Sequence, residues 1–564
     1  MKYLGKKPFS SFHLYALSLI SGLLMGVTVA PVGAWFLAWV ALAPLWVIVV
    51  KYTTPPASCP LPPAFLWAIA YHGVALSWIT GIYPMDWLGV PALPGIAITI
   101  FCWSFISLWG GILVSVWAAL MVRLDQQKPW LRVLVGTALW CGLESLWSAS
   151  PLWWSSLSYT QSPHNLVILH LGQLSGTTTV TAVIVAVNGL FAEAWIYLRL
   201  TQNHEKMNRE DAFAKRLEEK NTKEREFREI LPKPYYYENL TQSRRGAKEE
   251  RRVNFYLISA VTIFIISHII GFIIYNQPLT QNQDTNLKIG IIQGNIPNQI
   301  KLRPEGLRRA IEGYTEGYLK LANQGVDGVV IPEAALPFFQ RNLPETSFVK
   351  AVREKGVVAW IGAFGERENS YTNSLFTVTG KGEITSRYDK SKLVPLGEYI
   401  PFEQILGGII QRLSPLDEHQ VPGLPNQVFD TPFGRAIVGI CYESAFPEIF
   451  RRQAFLGGQF ILSASNDAHY TAAMSDQHHA QDIMRAIETD RWAVRATNTG
   501  YSAFVDPHGR TLWKSGHNTY ETHAETIYRR QTQTLYVRWG DWLMPLLLGL
   551  AGVGWFLGGT IKRL

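Results

Sequence analysis

Three residues of different chemistry, Glu333, Lys390 and Cys441, each stand at the end of a strand-like segment. The segments are Gly328-Val-Val-Ile-Pro-Glu333, Arg387-Tyr-Asp-Lys390 and Arg435-Ala-Ile-Val-Gly-Ile-Cys441. A carboxylate, an amine and a thiol in this order suit nucleophilic acyl transfer. A thiol with its ordinary pKa near ~8.5 is mostly protonated at neutral pH, so it needs a base or a cation beside it. Glu333 is the candidate base. Lys390 is expected to lower the thiol pKa and to stabilise the oxyanion, helped by the backbone N–H that follows Cys441. Taken singly, each has a plainer reading. A cysteine ending an apolar strand is ordinarily a small buried hydrophobe, Glu333 after Pro332 could be a turn carboxylate, and Lys390 could lie on the surface. The coincidence of three such sites, in one order and in matching settings, favours chemistry.

Strands alternating with helices must position these groups. The patterning predicts strands at 287–294, 327–332, 357–364, 373–379, 383–388, 434–441, 459–464 and 500–506. It predicts helices from Pro304 to Asn323, with Leu307, Ala310, Ile311, Tyr314, Tyr318 and Leu321 on one face, and over 476–490. Strand followed by helix, repeated, predicts an α/β layered domain over 286–535. The stretch 396–430, rich in glycine and proline, is expected to be a long loop serving as a lid or a membrane contact.

The rest of the chain is built for a bilayer. Of 564 residues 48% are apolar and only 17% charged, and the first 200 carry few charges and most of the tryptophans. Runs of about 20 apolar residues, enough to cross a hydrocarbon core, occur near 11–30, 33–50, 64–83, 94–122, 132–150, 176–199, 253–275 and 541–559. The expected organisation is a six-span bundle over 1–200, a charged linker over 201–252, a seventh span at 253–275, the α/β domain, and an eighth span at 541–559. Lysine and arginine collect at the N-terminus, at Lys51, in the loop between Arg123 and Arg132, along 200–252 and at the Lys562-Arg563 tail. That bias puts these segments in the cytoplasm and the α/β domain on the extracytoplasmic side. The 200–252 segment, with its Glu/Lys/Arg mixture, reads as a solvated helix or disordered linker without chemistry.

The net charge of +8 lies largely in membrane-flanking segments, and no basic helix interleaved with aromatics accompanies it, so no nucleic-acid partner is expected. Four cysteines without CxxC or Cys/His spacing predict neither a disulfide framework nor a metal site. His469, His478 and His479 are close in sequence but have no thiol or carboxylate at ligand spacing. Glu144, inside an apolar run, reads as a hydrogen-bonding group of the helix bundle.

Several local patterns resemble the nitrilase, or carbon–nitrogen hydrolase, superfamily, and within it the membrane branch formed by the apolipoprotein N-acyltransferases. They are Gln293-Gly-Asn-Ile-Pro297, Pro332-Glu333-Ala-Ala-Leu-Pro337, Lys390-Ser-Lys-Leu-Val-Pro-Leu-Gly-Glu398-Tyr-Ile-Pro401, Cys441-Tyr-Glu443, Ser465-Asn-Asp-Ala468 and the aromatic segment from Trp153 to Gln161. The resemblance implies a multi-pass helical membrane domain of about eight spans joined to a nitrilase-like α-β-β-α sandwich. It implies Glu333 as base, Lys390 rather than Lys392 as the stabilising cation, and Cys441 as nucleophile, with Glu398, Tyr442 and Glu443 as supporting residues. The implied reaction moves a fatty acyl chain from a membrane phospholipid, through a Cys441 thioester, to the N-terminal amine of a diacylglyceryl-modified apolipoprotein. No cofactor or metal is implied, a monomer is expected, and the location is a bacterial cytoplasmic (inner) membrane. Two departures, Leu302 after Lys301 and His469-Tyr470 after Ala468, touch lipid or peptide preference. A membrane-anchored amidase is the alternative, and a non-enzymatic transporter or scaffold the second.

Overall fold

The computed structural model describes residues 11–51, 61–85, 90–124, 127–223, 235–368, 370–395, 397–399, 420–468 and 470–560. The apolar N-terminal region forms helices α1 (Ser11–Gly26), α2 (Ala43–Lys51), α3 (Leu61–Ala75), α4 (Ala92–Val122), α5 (Pro129–Ser148), α6 (Thr177–Lys223) and α7 (Tyr235–Tyr275). Among the described residues three segments are long and apolar enough to cross a membrane unaided: Ala92–Val122, Thr177–Arg199 and Glu250–Tyr275. Of the other expected spans, α5 is long enough at 20 residues but less apolar, and the rest are shorter or interrupted. The 33–50 run is not one helix but a 3-10 turn, Trp35–Trp39, followed by α2. Nor do the helices stop where apolarity ends. α6 runs on to Lys223 and α7 begins at Tyr235, so the described parts of the charged linker are helical.

Burial separates the interior of the bundle from its lipid face. Only 17% of the apolar window of α7 is buried, and Phe255, Ile258, Val261, Ile265, Ile269 and Phe272 point outward. Such a surface is stable against acyl chains and not against water. Inside, the indole of Trp46 lies where a Cβ on Gly136 or Gly189 would approach to 2.4 or 2.9 Å, so these helices meet because those positions are bare. Glu144 accepts from Ser156, Trp140 (3.1 Å) and Thr181 (3.2 Å), which is the expected bundle role. A second buried carboxylate, Glu193, pairs with Arg132 and accepts from Trp46 at 3.2 Å. Glu193 lies within the 176–199 run, whose apolar neighbours mask it.

The region after α7 is a sandwich of two six-stranded sheets. Its strands are β1 (Asn286–Gln293), β2 (Gly328–Val330), β3 (Val358–Arg367), β4 (Ser370–Val378), β5 (Ile384–Asp389), β6 (Phe429–Thr431), β7 (Gly434–Ile440), β8 (Ile461–Ser465), β9 (Ala493–Thr497), β10 (Ala503–Val505), β11 (Thr511–Lys514) and β12 (Glu521–Tyr528). The sheet orders are β12-β1-β2-β3-β4-β5 and β11-β10-β9-β8-β7-β6. Helices α8 (Pro304–Asn323), α9 (Ser347–Lys355), α10 (Pro447–Phe455) and α11 (Ala472–Thr489) cover the outer faces, and α12 (Leu543–Thr560) ends the chain.

Alternation decides the layers. Leu287, Ile289 and Ile291 of β1 enter the core between the sheets with Val438, Ile440 and Leu462. Ile292 joins Tyr314, Tyr318 and Leu321 of α8 in the outer core. The opposite outer core, around Phe450, Ile483 and Ile487, includes Tyr159 and Leu169 of the bundle. The layers are therefore α-β-β-α, with bundle residues completing one of them.

Candidate active site

Each of the three reactive residues follows the C-terminal end of a sheet strand, so the sandwich brings them to one edge. Glu333 comes just after β2, where Ala334 adopts a φ of +44°. Lys390 follows β5 directly, and Cys441 follows β7 as the first residue of a 3-10 turn, Cys441–Ala445, with φ +50°. A positive φ at a residue with a Cβ costs about 1–3 kcal/mol and needs surrounding contacts to persist.

Lys390 is completely buried, and its Nζ donates to Glu333 Oε1 and Glu398 Oε1, each at 2.8 Å. Asn373 donates to the same oxygens at 2.6 and 3.3 Å, and Glu398 Oε2 accepts from the Val394 amide at 2.8 Å. Burial pushes the Glu333 carboxyl up, but Lys390, Lys301 and the Asn373 amide outweigh it and hold it below the usual range. Burial likewise opposes the charge on Lys390, yet Glu333 and Glu398 hold its pKa well above the ordinary value. Carboxylate and ammonium are thus both ionised at neutral pH.

Lys390 pulls the thiol pKa down, as expected, but it is outweighed. Burial, and then the negative charge of Glu333, push the Cys441 thiol well above its usual value, and the pull of Lys390 does not compensate. At rest the sulfur keeps its proton beside an ionised carboxylate. A group able to take that proton is what such a thiol needs before it can attack a carbonyl.

The other motif residues act as ties. Glu443 turns away from solvent and accepts from Ser391 N and Oγ (both 2.7 Å), Ile440 N (2.8 Å) and Tyr388 Oη (3.1 Å). It locks the turn bearing Lys390 to the turn bearing Cys441. Tyr442 points toward the bundle: its hydroxyl donates to the Pro151 carbonyl, and its ring stacks on Trp154 at 5.8 Å and 4°. Lys392 lies over the Phe446 ring at 5.2 Å, outside the ion-pair cluster. His469, Cys59 and residues 400–419 of the expected lid lie outside the described residues. Of the lid's flanks, Gly423 N donates to the Lys390 carbonyl at 2.8 Å.

Two features were not visible in linear spacing. His478, Asp467 and Cys441 converge, one ligand-type atom from each lying within 4.8 Å of the others. Both His478 nitrogens already have partners, the Cys441 carbonyl at 2.7 Å and Arg495 at 2.8 Å, and the guanidinium supplies the positive charge there. This donor set suits a hydrogen-bond relay rather than a cation. The second feature is Lys301, a buried amine donating to the Glu333 carbonyl oxygen at 3.3 Å. Burial lowers its pKa to about 8, against the opposing pull of Glu333 and Cys441.

That depression has a defined sign. Between about 8 and the ordinary lysine value of 10.5 the folded chain holds fewer protons than the unfolded one, so this site adds stability as pH rises through that window and costs stability below it. The cost at neutral pH is on the order of 3 kcal/mol. Lys301→Met is therefore expected to melt higher than wild type at pH 7, with the gap closing toward pH 10.5, while slowing turnover because Glu333 loses a cation. Thermal melts in detergent at the two pH values, with rate measurements, check both halves.

Fold and site together define a carbon–nitrogen hydrolase domain carried by a membrane helix bundle. Residues 288–536 match the Carbon-nitrogen hydrolase family, and residues 21–190 match the Apolipoprotein N-acyltransferase N-terminal domain. The apolipoprotein N-acyltransferase of Nostoc sp. is 65% identical over 94% of this chain and 97% of its own length. That of Synechocystis sp. is 43% identical over 94% and 98%, and that of Thermosynechococcus vestitus 40% identical over 96% and 95%. The chain belongs to the apolipoprotein N-acyltransferase family.

Proposed function

We propose that this enzyme transfers a fatty acyl chain from a membrane phospholipid to the α-amine of a diacylglyceryl-cysteine at the N-terminus of an apolipoprotein, with Glu333, Lys390 and Cys441 as the reacting set. In the first half, Cys441 Sγ attacks the ester carbonyl and its proton passes to Glu333. The C–S bond forms, the C–O bond breaks, and Glu333 returns the proton to the leaving glycerol oxygen. In the second half, the acceptor nitrogen attacks the thioester, its proton passes to Glu333, and the C–S bond breaks to restore the thiol. Lys390, with two N–H groups on carboxylates, has a third for the oxyanion in each half. Glu398, Tyr442 and Glu443 hold this arrangement in place. No cofactor enters either step.

The observation that carries this reading is the seam beside the nucleophile. Tyr442, next to Cys441, rests on Trp154 and Pro151 of the bundle. The residue that follows the nucleophile is thereby tied to the apolar N-terminal region. A donor and an acceptor that both keep their chains in the bilayer need that placement, whereas an amidase acting on a small soluble substrate does not. The charge bias supports eight spans, with the sandwich on the extracytoplasmic side of a bacterial cytoplasmic membrane and the 201–252 linker inside.

Purified protein supplied with phospholipid and a synthetic diacylglyceryl peptide is expected to yield N-acylated peptide and lysophospholipid in equal amounts. Release of ammonia from a small amide, without lipid turnover, would favour the amidase alternative and defeat the proposal.

A further inference from the structure

The Cys441 carbonyl is held from behind by buried polar groups that take no part in the proton transfers above. His478 Nε2 lies 2.7 Å from that oxygen. The other ring nitrogen, Nδ1, is 2.8 Å from an Arg495 terminal nitrogen and 3.3 Å from Asp467 Oδ1. Arg495 also reaches Asp482 at 2.6 Å and Asp467 at 3.4 Å, and Ser475 donates to Asp467 at 3.1 Å. His478, Asp467 and Arg495 are at most 1% exposed, and the Trp154 ring meets the imidazole edge-on at 5.6 Å.

A guanidinium has only donors, so the closer contact makes Nδ1 an acceptor. The ring proton is then on Nε2, which donates to the Cys441 carbonyl. That carbonyl and the Tyr442 N–H belong to one planar trans peptide and point in opposite directions. Tyr442 is the second residue of the 3-10 turn, where a helix start leaves the amide without an internal acceptor. Fixing the oxygen toward His478 therefore aims the Tyr442 amide the other way and helps hold Cys441 at its φ of +50°.

We propose that His478, with its tautomer set by Arg495, is a positioning residue that aims the Tyr442 amide as an oxyanion donor during acyl transfer. The proposal rests on the thioester mechanism of the preceding section and concerns one part of it.

The test compares two reactions of Cys441 in the full-length protein. Thioester formation from phospholipid passes through an oxyanion, whereas alkylation by iodoacetamide does not. Loss of one oxyanion donor costs about 10²–10³ in rate. His478→Leu, and His478→Asn (polar but too short to reach the carbonyl), are expected to form the thioester about a hundredfold more slowly, by single-turnover mass spectrometry. Both should alkylate within about twofold of wild type, because that displacement builds no oxyanion. His478→Gln, whose amide N–H can span the gap, is expected to recover to within about tenfold of wild type. Wild-type thioester rates in His478→Leu or His478→Asn would overturn the proposal, as would alkylation and acylation falling in parallel in every variant. Failure of the wild-type protein itself to form a thioester would instead remove the mechanism on which the proposal rests.

Discussion

Cys441→Ala is expected to carry no fatty-acyl mass increment after incubation with phospholipid, where the wild-type protein gains one. N-acylation of a diacylglyceryl peptide should fall by about 10⁴–10⁶, the range found when a nucleophile is deleted from a working set. The fold should tolerate the change. Cys441 is 6% exposed and follows a strand whose Val438 and Ile440 supply the core, so losing one sulfur removes little buried area. The positive φ costs alanine about what it costs cysteine. Intact mass and a thermal melt on the same samples separate lost chemistry from lost structure. A persisting adduct on the variant would point to another nucleophile and end the case for this one.

Lys390→Met should damage both activity and stability, and its stability effect has a diagnostic pH slope. The ammonium lies between two carboxylates at 2.8 Å from each, with no exposure to solvent. Removing it leaves Glu333 and Glu398 facing each other across the Asn373 amide. Breaking a buried ion pair on one side costs about 3–5 kcal/mol, and acyl transfer should drop by at least about a thousandfold. In wild type the Glu333 pKa is depressed, so its contribution is present above the unfolded carboxylate pKa and is lost as pH falls through the folded value. Without the cation the two carboxylates favour sharing a proton, the folded pKa rises above the unfolded one, and the slope inverts. The variant is expected to gain melting temperature relative to wild type between pH 8 and pH 5. An unchanged slope would mean that Lys390 does not govern Glu333.

Much of this site can be read from the sequence because its residues follow strand-like segments, and strand ends are where a sheet presents side chains to a common edge. Glu333, Lys390 and Cys441 could be picked out for that reason, and the assembled ion pairs bring Glu398 into the same cluster. Four described strands escaped prediction, β6, β9, β11 and β12, and for two of them the physical cause is plain. β12, Glu521–Tyr528, has polar residues at most positions, and its pairing with β1 comes from tertiary context rather than from alternation. β9 contains Arg495, a charge that argues against a central strand unless buried partners exist, and Asp467 and Asp482 are those partners. They come from β8's following loop and from α11, 28 and 13 residues earlier in the chain. The same holds for His478, whose role depends on a carbonyl 37 residues earlier. In the bundle, uninterrupted apolar runs overstated continuity. The 33–50 stretch breaks into a 3-10 turn and a short helix that hydropathy alone does not distinguish.

The seam between bundle and sandwich bears on how the molecule comes apart. Tyr159 and Leu169 sit in the outer core of the sandwich, Gln477 of α11 donates to the Ala30 and Ala75 carbonyls at 3.0 and 2.7 Å, and Ser162 donates to Ala480 at 2.7 Å. A globular half cut free at residue 286 would lack part of its own hydrophobic interior and leave α11 with unmet polar groups. Excision should thus yield an aggregation-prone fragment, and heating the whole protein in detergent should give a single cooperative transition rather than one for each half.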